Sequence, residues 1–385
     1  MSEGGKIVGY RVPIYSLSNQ MKGLKAIYTN GANNLYPYYV ANSVNGSPIG
    51  KRSHNLNSDY IAGNLNVEDV IVNQKDEVYL SSLILDCAKD VSLQGGFFIH
   101  ISYGLDENGN FVKKSFTHFP FENCRVSKKD DDGYWNFVYV DDFYGKSKIT
   151  SRLNEDNYYY RYNPSNSAIE AQIKKDAKLR GLPTEGEGWL IEALRVYRGQ
   201  VRFMRMTSEF PYPVSPVDSV LMDCNVDYFT SKYNIEQSGY GFMGKTVVFV
   251  KNNPDAEGEH GEFMQFIGAD NSGGLYIQPL PDGMDAGDVF EIKTFQSQFD
   301  DKLQKATHAR NKENIYGAFD NIPNLLVESG SGALFGSNPE TFILAKEFYS
   351  EQTQKKREFL NKSLSDTLGI EFKLKGYERK DTAEL

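Results

Sequence analysis

The sequence predicts an α+β fold, and three observations lead to this prediction. In the N-terminal half, segments with apolar residues at helical spacing are followed by strand-like segments that are separated by Asp-, Asn- and Gly-rich turns. In the C-terminal half, two long polar helical segments flank a strand-rich stretch. A glycine- and serine-rich loop then leads into a last long helix. At 385 residues, the chain is long enough for roughly two or three domains.

The N-terminal half, residues 1–210, is predicted to be a domain of helices and antiparallel strands. Its clearest helix covers 77–96, where apolar residues recur at three- and four-residue steps until two glycines end it. Two hairpins follow, with turns at 106–109 and 131–133. The other elements expected in this half are helices within 30–44, 51–67 and 167–181, a strand over 157–163, and a mixed connection over 187–206.

The organisation changes at a proline-rich joint, residues 210–218. Ser215 and Pro216 occupy positions that favour the start of a helix. The long helices expected beyond the joint cover 216–238, 296–318 and 337–368. Between the first two of these helices, strands are expected at 245–253 and in FMQFIGA, GLYIQPL and VFEIKTF. A further strand is expected in the polar tail after the last helix.

The net charge and the amino-acid composition restrict the class of function. The net charge is −9, whereas a protein that grips nucleic acid through its phosphates is usually basic. Any contact with DNA is therefore expected to be local or weak. The 25 Tyr and 24 Phe residues indicate large half-buried surfaces, such as sheets or subunit contacts. No secretory signal or membrane helix is apparent, so a cytoplasmic site of synthesis and no membrane partner are expected.

One motif points to nucleotide chemistry. The stretch GYGFMGKT, residues 239–246, has the phosphate-binding pattern of a Gly, four residues and Gly-Lys-Thr. Phosphate binding needs a strand before this loop and a helix after it, so that backbone N–H groups point at the phosphates. Here a helix is predicted before Gly239 and a strand after Thr246, which is the reverse order. We therefore expect a glycine turn, with a nucleotide hydrolase as the weakest alternative.

No other stretch predicts a catalytic or metal site. His100 and His118 lie on the two strands of the first hairpin and are candidate neighbours, but a third metal ligand is missing. DENGN and DDDG are interpreted as hairpin turns because they lack the ligand spacing of a calcium loop. The basic stretch KKREF, 355–359, lies among acidic residues, which favours pairing within the helix over nucleic-acid contact. No cofactor, metal or catalysis is expected, and the three cysteines are expected to be buried, reduced thiols.

Several stretches resemble, in the same order, the portal proteins of tailed bacteriophages. NNLYPYYVANSVNGSPIGKRSHNLNSDYIAGN resembles a segment in which an asparagine-proline turn precedes helices and a YIAGxG-like ending, although Asn64 replaces the final glycine. DCAKDVSLQGGFFIHISYGLDENG resembles the helix, Gly turn and strand that follow, and HFPFENCRVSK resembles the next step. IPNLLVESGSGALFGSNPETFILAKEFY resembles the loop that opens the long C-terminal helix. The order of these stretches, over residues 30–368, carries the resemblance.

The resemblance implies a portal fold of wing, stem, clip and small crown, assembled as a ring. The parts that it implies are a wing domain over 1–210, a first stem helix over 211–240, a strand-rich clip over 241–290, a second stem helix over 291–318, a tunnel loop over 319–337, and a long wing helix with a short crown or tail over 338–385.

A function without catalysis follows from the same resemblance. Portal proteins form rings of about twelve subunits at one capsid vertex, and double-stranded DNA passes through them during packaging and ejection. The implied partners are further copies of the chain, the major capsid protein, the terminase large subunit, the head-tail adaptor, a scaffold protein and DNA. The protein is then expected in the virion after assembly in the host cytoplasm. Another structural subunit of a virus or mobile element, such as a capsid or adaptor protein, is the main alternative.

The resemblance also implies which residues meet DNA or partners. The tunnel-loop residues expected to line the channel are Glu328, Ser329, Gly330, Ser331 and Gly332. The candidate phosphate contacts on the second stem helix are Lys302, Lys305, Arg310 and Lys312, for which salt links between subunits with Asp300, Asp301 and Glu313 are an equal alternative. The clip residues expected near a docking surface are Lys245, Lys251, Asn252 and Asn253.

Overall fold

The computed structural model describes residues 27–31, 34–131, 133–143, 157–240, 245–250, 290–295, 301–327 and 339–377. In these ranges helices alternate with mostly antiparallel strands, as expected for an α+β fold. The helices are α1 Tyr36–Gly46, α2 Pro48–Ala62, α3 Leu80–Gln94, α4 Asn166–Leu179, α5 Trp189–Val196, α6 Leu221–Tyr240, α7 Asp301–Ala318, α8 Asn324–Val327, α9 Pro339–Gln352 and α10 Gln354–Leu368. The strands are β1 Asn64–Leu65, β2 Ile71–Asn73, β3 Val78–Tyr79, β4 Gly96–Leu105, β5 Phe111–Phe119, β6 Cys124–Val126, β7 Phe137–Val140, β8 Tyr158–Arg161, β9 Gln200–Arg205, β10 Lys245–Val250, β11 Phe290–Phe295 and β12 Leu374–Lys375.

A six-stranded sheet organises the N-terminal half, with the strand order β5-β4-β9-β8-β7-β6. Neighbouring strands are antiparallel except β8 and β9, which run parallel. The chain joins these two through α4 and α5, because parallel neighbours need a crossover connection. The two predicted hairpins are β4–β5 and β6–β7, so both predictions are confirmed.

One face of this sheet packs against α3 and α10. Phe97, Ile99 and Ile101 alternate along β4 and are fully buried. The residues that α3 and α10 place against them are Leu83, Ile84, Cys87, Ala88, Val91, Leu360 and Leu364. The apolar spacing that predicts α3 is thus the side of the helix that faces the sheet.

The opposite face of the sheet is aromatic. The rings of Phe98 and Phe203 stack with centroids 4.2 Å apart. His100 stacks on Phe119 at 5.1 Å, and Tyr159 meets Phe119 edge-on at 5.1 Å. Aromatic pairs of this kind add to the free energy gained from burying the rings. A sheet is therefore one place where the high Tyr and Phe content of the chain is used.

A second core lies where α1, α6 and α7 meet. Its buried side chains include Val40, Val44, Leu221, Cys224, Ile315, Phe319 and Tyr349. The three cysteines, Cys87, Cys124 and Cys224, are buried and free, as expected from the sequence.

The start of the first long helix after the joint differs from the prediction. Residues Asp218–Val220 form a 3-10 turn, and α6 begins only at Leu221. Ser215 therefore lies six residues before the α-helix: its Oγ accepts from the backbone N–H of Val217 at 3.2 Å, in the turn before the helix, and donates to the carbonyl oxygen of Leu93 at 2.5 Å. The joint is therefore tied to the end of α3.

The last helix is interrupted at Thr353, so the prediction of one uninterrupted helix over 337–368 is wrong. Thr353 Oγ1 donates to the carbonyl oxygen of Tyr349 at 3.0 Å, and Arg357 Nη2 donates to that of Ser350 at 2.9 Å. Side-chain donors thus compete for the backbone acceptors of the last turn of α9. Propensity alone does not reveal this competition because the buried position of Arg357 depends on α2, where it donates to Tyr60 O at 2.9 Å.

Two glycines with the same backbone conformation give a test of the fold. Gly199 and Gly188 both have φ of 77°. A Cβ at Gly199 would overlap the carbonyl oxygen of Ile101, whereas nothing lies within 4 Å of a Cβ at Gly188. We expect Gly199→Ala to lower the free energy of unfolding by about 3 kcal/mol and Gly188→Ala by about 1 kcal/mol, because only the first adds a clash to the strained φ. Urea denaturation measures both, and equal losses would contradict this packing.

Candidate functional site

The two long helices predicted as a stem are α6 and α7. The N-terminal end of α6 and the C-terminal end of α7 both lie in the second core. Along one side of α6 at seven-residue steps, Leu221 is 3 % exposed, Tyr228 41 % and Ile235 69 %. Along α7 the trend is reversed, since residues 305–310 are exposed and Ile315 is buried. The helices contact each other. They therefore project from the core as an antiparallel pair.

An apolar row, which we call the α6 stripe, runs along the other side of α6. It consists of Met222, Val226 and Phe229, which are 50 %, 41 % and 56 % exposed. Their spacing of four and three residues places them on one helix face, opposite the buried Cys224. In the part of the chain that the structure describes, no element covers this stripe.

Polar contacts hold the helix pair together near its base. Asn314 Nδ2 donates to Asp223 Oδ2 at 3.2 Å, which joins α7 to α6. Asp227 is 5 % exposed and accepts from Ser47 Oγ at 2.6 Å and from the backbone N–H of Ile49 at 3.2 Å, which joins α6 to the start of α2. Its other oxygen lies 3.9 Å from His308 Nδ1.

The residue types of a catalytic triad lie next to each other here, as Ser47, Asp227 and His308, but their spatial order is wrong for catalysis. A triad places the imidazole between the hydroxyl and the carboxylate, so that it takes the proton of the nucleophile. Here the carboxylate lies between the other two groups and accepts the serine proton itself. The arrangement stabilises a helix junction and offers no activated nucleophile.

A buried polar cluster fixes the end of α7. Asp320 and Asn321 have positive φ angles of 61° and 57°, a conformation that Asp and Asn adopt more readily than most residues. Asp320 Oδ2 accepts from Lys356 Nζ at 2.7 Å and from Asn57 Nδ2 at 2.8 Å. Tyr349 OH donates to the carbonyl oxygen of Phe319 at 2.9 Å. Side chains from α2, α9 and α10 therefore hold the base of the helix pair.

Two cations of the basic stretch 355–359, Lys356 and Arg357, belong to this interior, which corrects the prediction that they pair within the helix. Lys356 bonds Asp320 on another element, and Arg357 is 7 % exposed and bonds backbone carbonyls. Within the helix, Gln354 Nε2 donates to Glu358 Oε1 at 2.7 Å, and Arg357 Nη1 donates to Thr353 Oγ1 at its start at 3.3 Å. These two cations are used inside the fold and are not available to nucleic acid.

The phosphate-binding pattern at 239–246 has the predicted surroundings. α6 precedes it, and β10 follows it and pairs antiparallel with β11. A strand that leaves the loop cannot supply the helix N-terminus that a phosphate site needs. The order of elements therefore argues against a nucleotide site.

The other candidate chemical groups are also used by the fold. The register of β4 and β5 pairs His118 with Ile99 and His100 with Thr117, so the two imidazoles lie on opposite faces of the sheet. Within the described ranges, no group of three or more His, Cys, Asp or Glu side chains could hold a metal ion. Asp106 accepts from the backbone N–H groups of Asn108 and Asn110 at 2.9 and 2.8 Å, which confirms a hairpin turn.

Most of the predicted functional residues remain predictions. The tunnel-loop candidates and three clip candidates lie outside the described residues, namely Glu328, Ser329, Gly330, Ser331, Gly332, Lys251, Asn252 and Asn253. Lys245 begins β10 and Lys302 lies on α7, but only their backbones are described. Lys305 and Arg310 are exposed on α7, and Lys312 is half-buried. The structure thus brings these three cations onto one helix of the projecting pair.

The sequence reasoning missed the α6 stripe, although a signal for it was present. Met222, Val226 and Phe229 repeat at helical spacing beside the residues that predict the core face of the same helix. A helix that is apolar on two sides needs two partners. Separately, no described helix combines the length and the apolar character needed to cross a membrane.

No protein-family model and no curated protein matches this chain, whereas solved structures do. A chain in the neck of the native gene transfer agent (GTA) particle, computed with C12 symmetry, is 13% identical, with a TM-score of 0.50 over 91% of this chain and 84% of that chain. A chain in the neck of the empty GTA particle, computed with C6 symmetry, is 14% identical, with a TM-score of 0.50 over 90% and 85%. An HK97 family phage portal protein from Corynebacterium diphtheriae is 12% identical, with a TM-score of 0.37 over 85% and 88%.

At identities of 12% to 14%, these similarities concern the fold. The two neck chains carry the comparison, because each matches nine tenths of this chain or more. The chain is a mixed α+β protein that shares its fold with chains of the GTA particle neck, and at the level of the fold this agrees with the resemblance predicted from its sequence.

Proposed function

We propose that the chain is a portal-type structural subunit that assembles into a ring, and that double-stranded DNA passes through the centre of this ring. The observation that carries the proposal is the projecting helix pair α6–α7 with its uncovered α6 stripe. Met222, Val226 and Phe229 are 50 %, 41 % and 56 % exposed in the single chain. A neighbouring copy would bury them and gain the free energy of removing apolar surface from water.

The number of copies in the ring is proposed from the symmetry of the GTA particle neck. The neck of the native GTA particle was computed with C12 symmetry. A head-to-tail contact between identical copies closes into a ring when its rotation divides a full turn. We therefore propose a ring of about twelve copies of this chain, with the helix pair of each copy packed against the next.

The charges of the chain are compatible with DNA that slides. Each copy has a net charge of −9, so most of its surface repels phosphates. Lys302, Lys305, Arg310 and Lys312 on α7 are the proposed phosphate contacts, repeated once in each copy. Few cations release few counterions on binding DNA, so each contact is weak. The tunnel-loop residues 328–332 are proposed to lie against DNA in the same channel.

The partners and the location are part of this proposal. The clip, with Lys245, Lys251, Asn252 and Asn253, is proposed to face the terminase large subunit during packaging and the head-tail adaptor afterwards. The wing is proposed to meet the major capsid protein and the scaffold. Any nucleotide used in packaging would then be hydrolysed by the docked motor, so the chain itself carries no catalysis. The site of action is one vertex of the capsid in a virion-like particle.

Electron microscopy tests the proposal. We expect the purified chain, at micromolar concentration, to give rings with a central hole in negative-stain images. Light scattering coupled to size exclusion should give the mass of about twelve chains. A monomer under these conditions would contradict the proposal. Shells or tubes would also contradict it, and they would favour a capsid or adaptor subunit.

A further inference from the structure

A cluster of buried titratable side chains joins α3 to the corner that follows β5, and the proposed function does not use it. His118 Nε2 donates to Asp90 Oδ2 at 2.7 Å, and these side chains are only 16 % and 12 % exposed. Glu122 lies in the 3-10 turn Phe121–Asn123, directly after β5. The backbone N–H of Phe121 also donates to Asp90. The cluster is thus a direct link between the helix and the sheet corner.

The charges around this cluster come from the neighbouring elements. Asp86 on α3 adds a second negative charge near Asp90 and His118. Arg125 on β6 attracts Glu122, but its guanidinium is already held by backbone carbonyls. Cys124 is buried beside them as a thiol. Lys89 on α3 lies 3.0 Å from Asp86 and offsets its charge, so the mutual repulsion of Asp90 and Glu122 is the main unfavourable interaction between charges in the cluster.

Burial and the repulsion between Asp90 and Glu122 favour protonation of the carboxyl groups. Burial, together with the charge of Asp90, raises the pKa of Glu122 to about 7. Burial also raises the pKa of Asp90, against the attraction of His118. For His118, burial alone lowers the pKa, but the charge and hydrogen bond of Asp90, with Asp86 and Glu122, raise it above the ordinary value. Folding therefore makes all three groups hold protons more tightly.

The three shifts act on stability in the same direction. A carboxyl group whose pKa is raised by folding stabilises the fold at low pH, and this contribution is lost between its ordinary pKa of 4.5 and, for Glu122, about 7. The raised pKa of His118 stabilises the fold below its ordinary value of 6.5, and this contribution is lost as the pH rises through the raised value. The link is therefore weakened as the pH rises through neutrality.

We propose that Asp90, His118 and Glu122 form a proton-operated clamp that holds α3 against the sheet corner at mildly acidic pH and loosens this contact above neutral pH. In the deprotonated form two carboxylates repel each other in a site with little water. α3 also contributes Leu93 to the second core, and the carbonyl oxygen of Leu93 accepts from Ser215 in the joint before α6. The clamp thus acts on the helix that supports the base of α6.

Hydrogen exchange of the full-length chain tests the clamp. Peptides that cover 80–94 and 116–126 are followed at about pH 6 and about pH 8, with rates corrected for the intrinsic effect of pH on amide exchange. We expect protection to fall by about tenfold at the higher pH in the wild type and to stay nearly constant in Glu122→Gln. Glu68→Gln, an exposed site in the same half, is the matched control and should behave like the wild type.

A second variant keeps the test decisive if Glu122→Gln does not fold. Asp90→Asn retains the shape of the side chain and removes the charge that favours protonation of Glu122 and His118. It should also reduce the difference between the two pH values. A difference that remains unchanged in either folded variant, or protection in the wild type that rises with pH, would overturn the proposal.

Discussion

Replacing Val226 and Phe229 together with lysine is expected to convert the assembled protein into single chains. Both side chains belong to the α6 stripe, where they are 41 % and 56 % exposed in the single chain. The substitutions put two charges into a contact that is proposed to exclude water, and each charge must lose its hydration there. The same loss is repeated at every interface of a ring, so a destabilisation of a few kcal/mol per contact is enough to prevent closure.

The measurement is the molar mass by light scattering, together with negative-stain images of the same sample. The double variant should retain the helix content of the wild type, because neither residue contributes to the second core. The matched control is Ile191→Lys on α5, an apolar residue that is 60 % exposed and lies outside the helix pair. Equal dissociation by the control, or intact rings in the double variant, would show that the stripe has no special part in assembly.

Replacement of Arg125 with methionine is expected to have the largest effect on the stability of the single chain. Arg125 is fully buried, and no carboxylate contacts it in the described structure. Its Nη1 donates to the carbonyl oxygens of Glu122 and Cys124 at 2.8 and 2.7 Å, and its Nη2 donates to that of Asn34 at 2.7 Å. The guanidinium also lies 4.6 Å from the centre of the Phe143 ring.

Methionine fills much of the same volume but donates no hydrogen bond, so three buried carbonyl groups lose their partner. Each such loss costs about 1–3 kcal/mol, and we expect Arg125→Met to lower the free energy of unfolding by about 3–5 kcal/mol. Arg125→Lys should recover only part of this, because one ammonium group cannot reach carbonyls arranged for a planar fork.

Arg161→Met is the matched control for Arg125. Arg161 lies over the rings of Trp135 and Tyr134 at 4.9 and 5.3 Å, is only half-buried, and makes a single long bond of 3.5 Å to the carbonyl oxygen of Trp135. Its loss should cost less than about 1 kcal/mol. Urea denaturation of the three variants measures the difference. A cost for Arg125→Met as small as that of Arg161→Met would refute the role assigned to the buried guanidinium.

The elements of the N-terminal half could be predicted because their signals are local. The turn at 106–109 and the glycine after α3 depend on backbone conformations that few residues adopt, and the structure has Gly95 and Gly109 at φ of 72° and 80°. Hairpins form between neighbouring stretches, so the pairing of β4 with β5 follows from the turn itself. The parallel neighbours β8 and β9 could not be predicted in this way, since 38 residues separate Arg161 from Gln200 in the numbering of the chain and the crossover lies between them.

The candidate site was predictable in part. The polar character of α7 and the apolar repeat of α6 are visible in the sequence, and both suggest helices that need neighbours. Whether an individual cation is exposed or buried could not be predicted from the sequence. Arg310 is exposed, whereas Arg357 is buried, and their immediate sequences are similarly polar. Only the packing of α10 against α2 explains why Arg357 lies inside the protein.

By itself, the sequence determined the α+β class, most helix and strand positions, the resemblance to portal proteins and the rejection of the phosphate-binding pattern at 239–246. Each of these depends on residues close together in the chain or on the order of elements along it. The tertiary structure alone decided the break at Thr353, the separation of His100 from His118, the buried clusters around Asp320 and Asp90, and the exposure of the α6 stripe. These features join residues that are distant in the sequence, and their free energies depend on which groups lose contact with water when the elements pack.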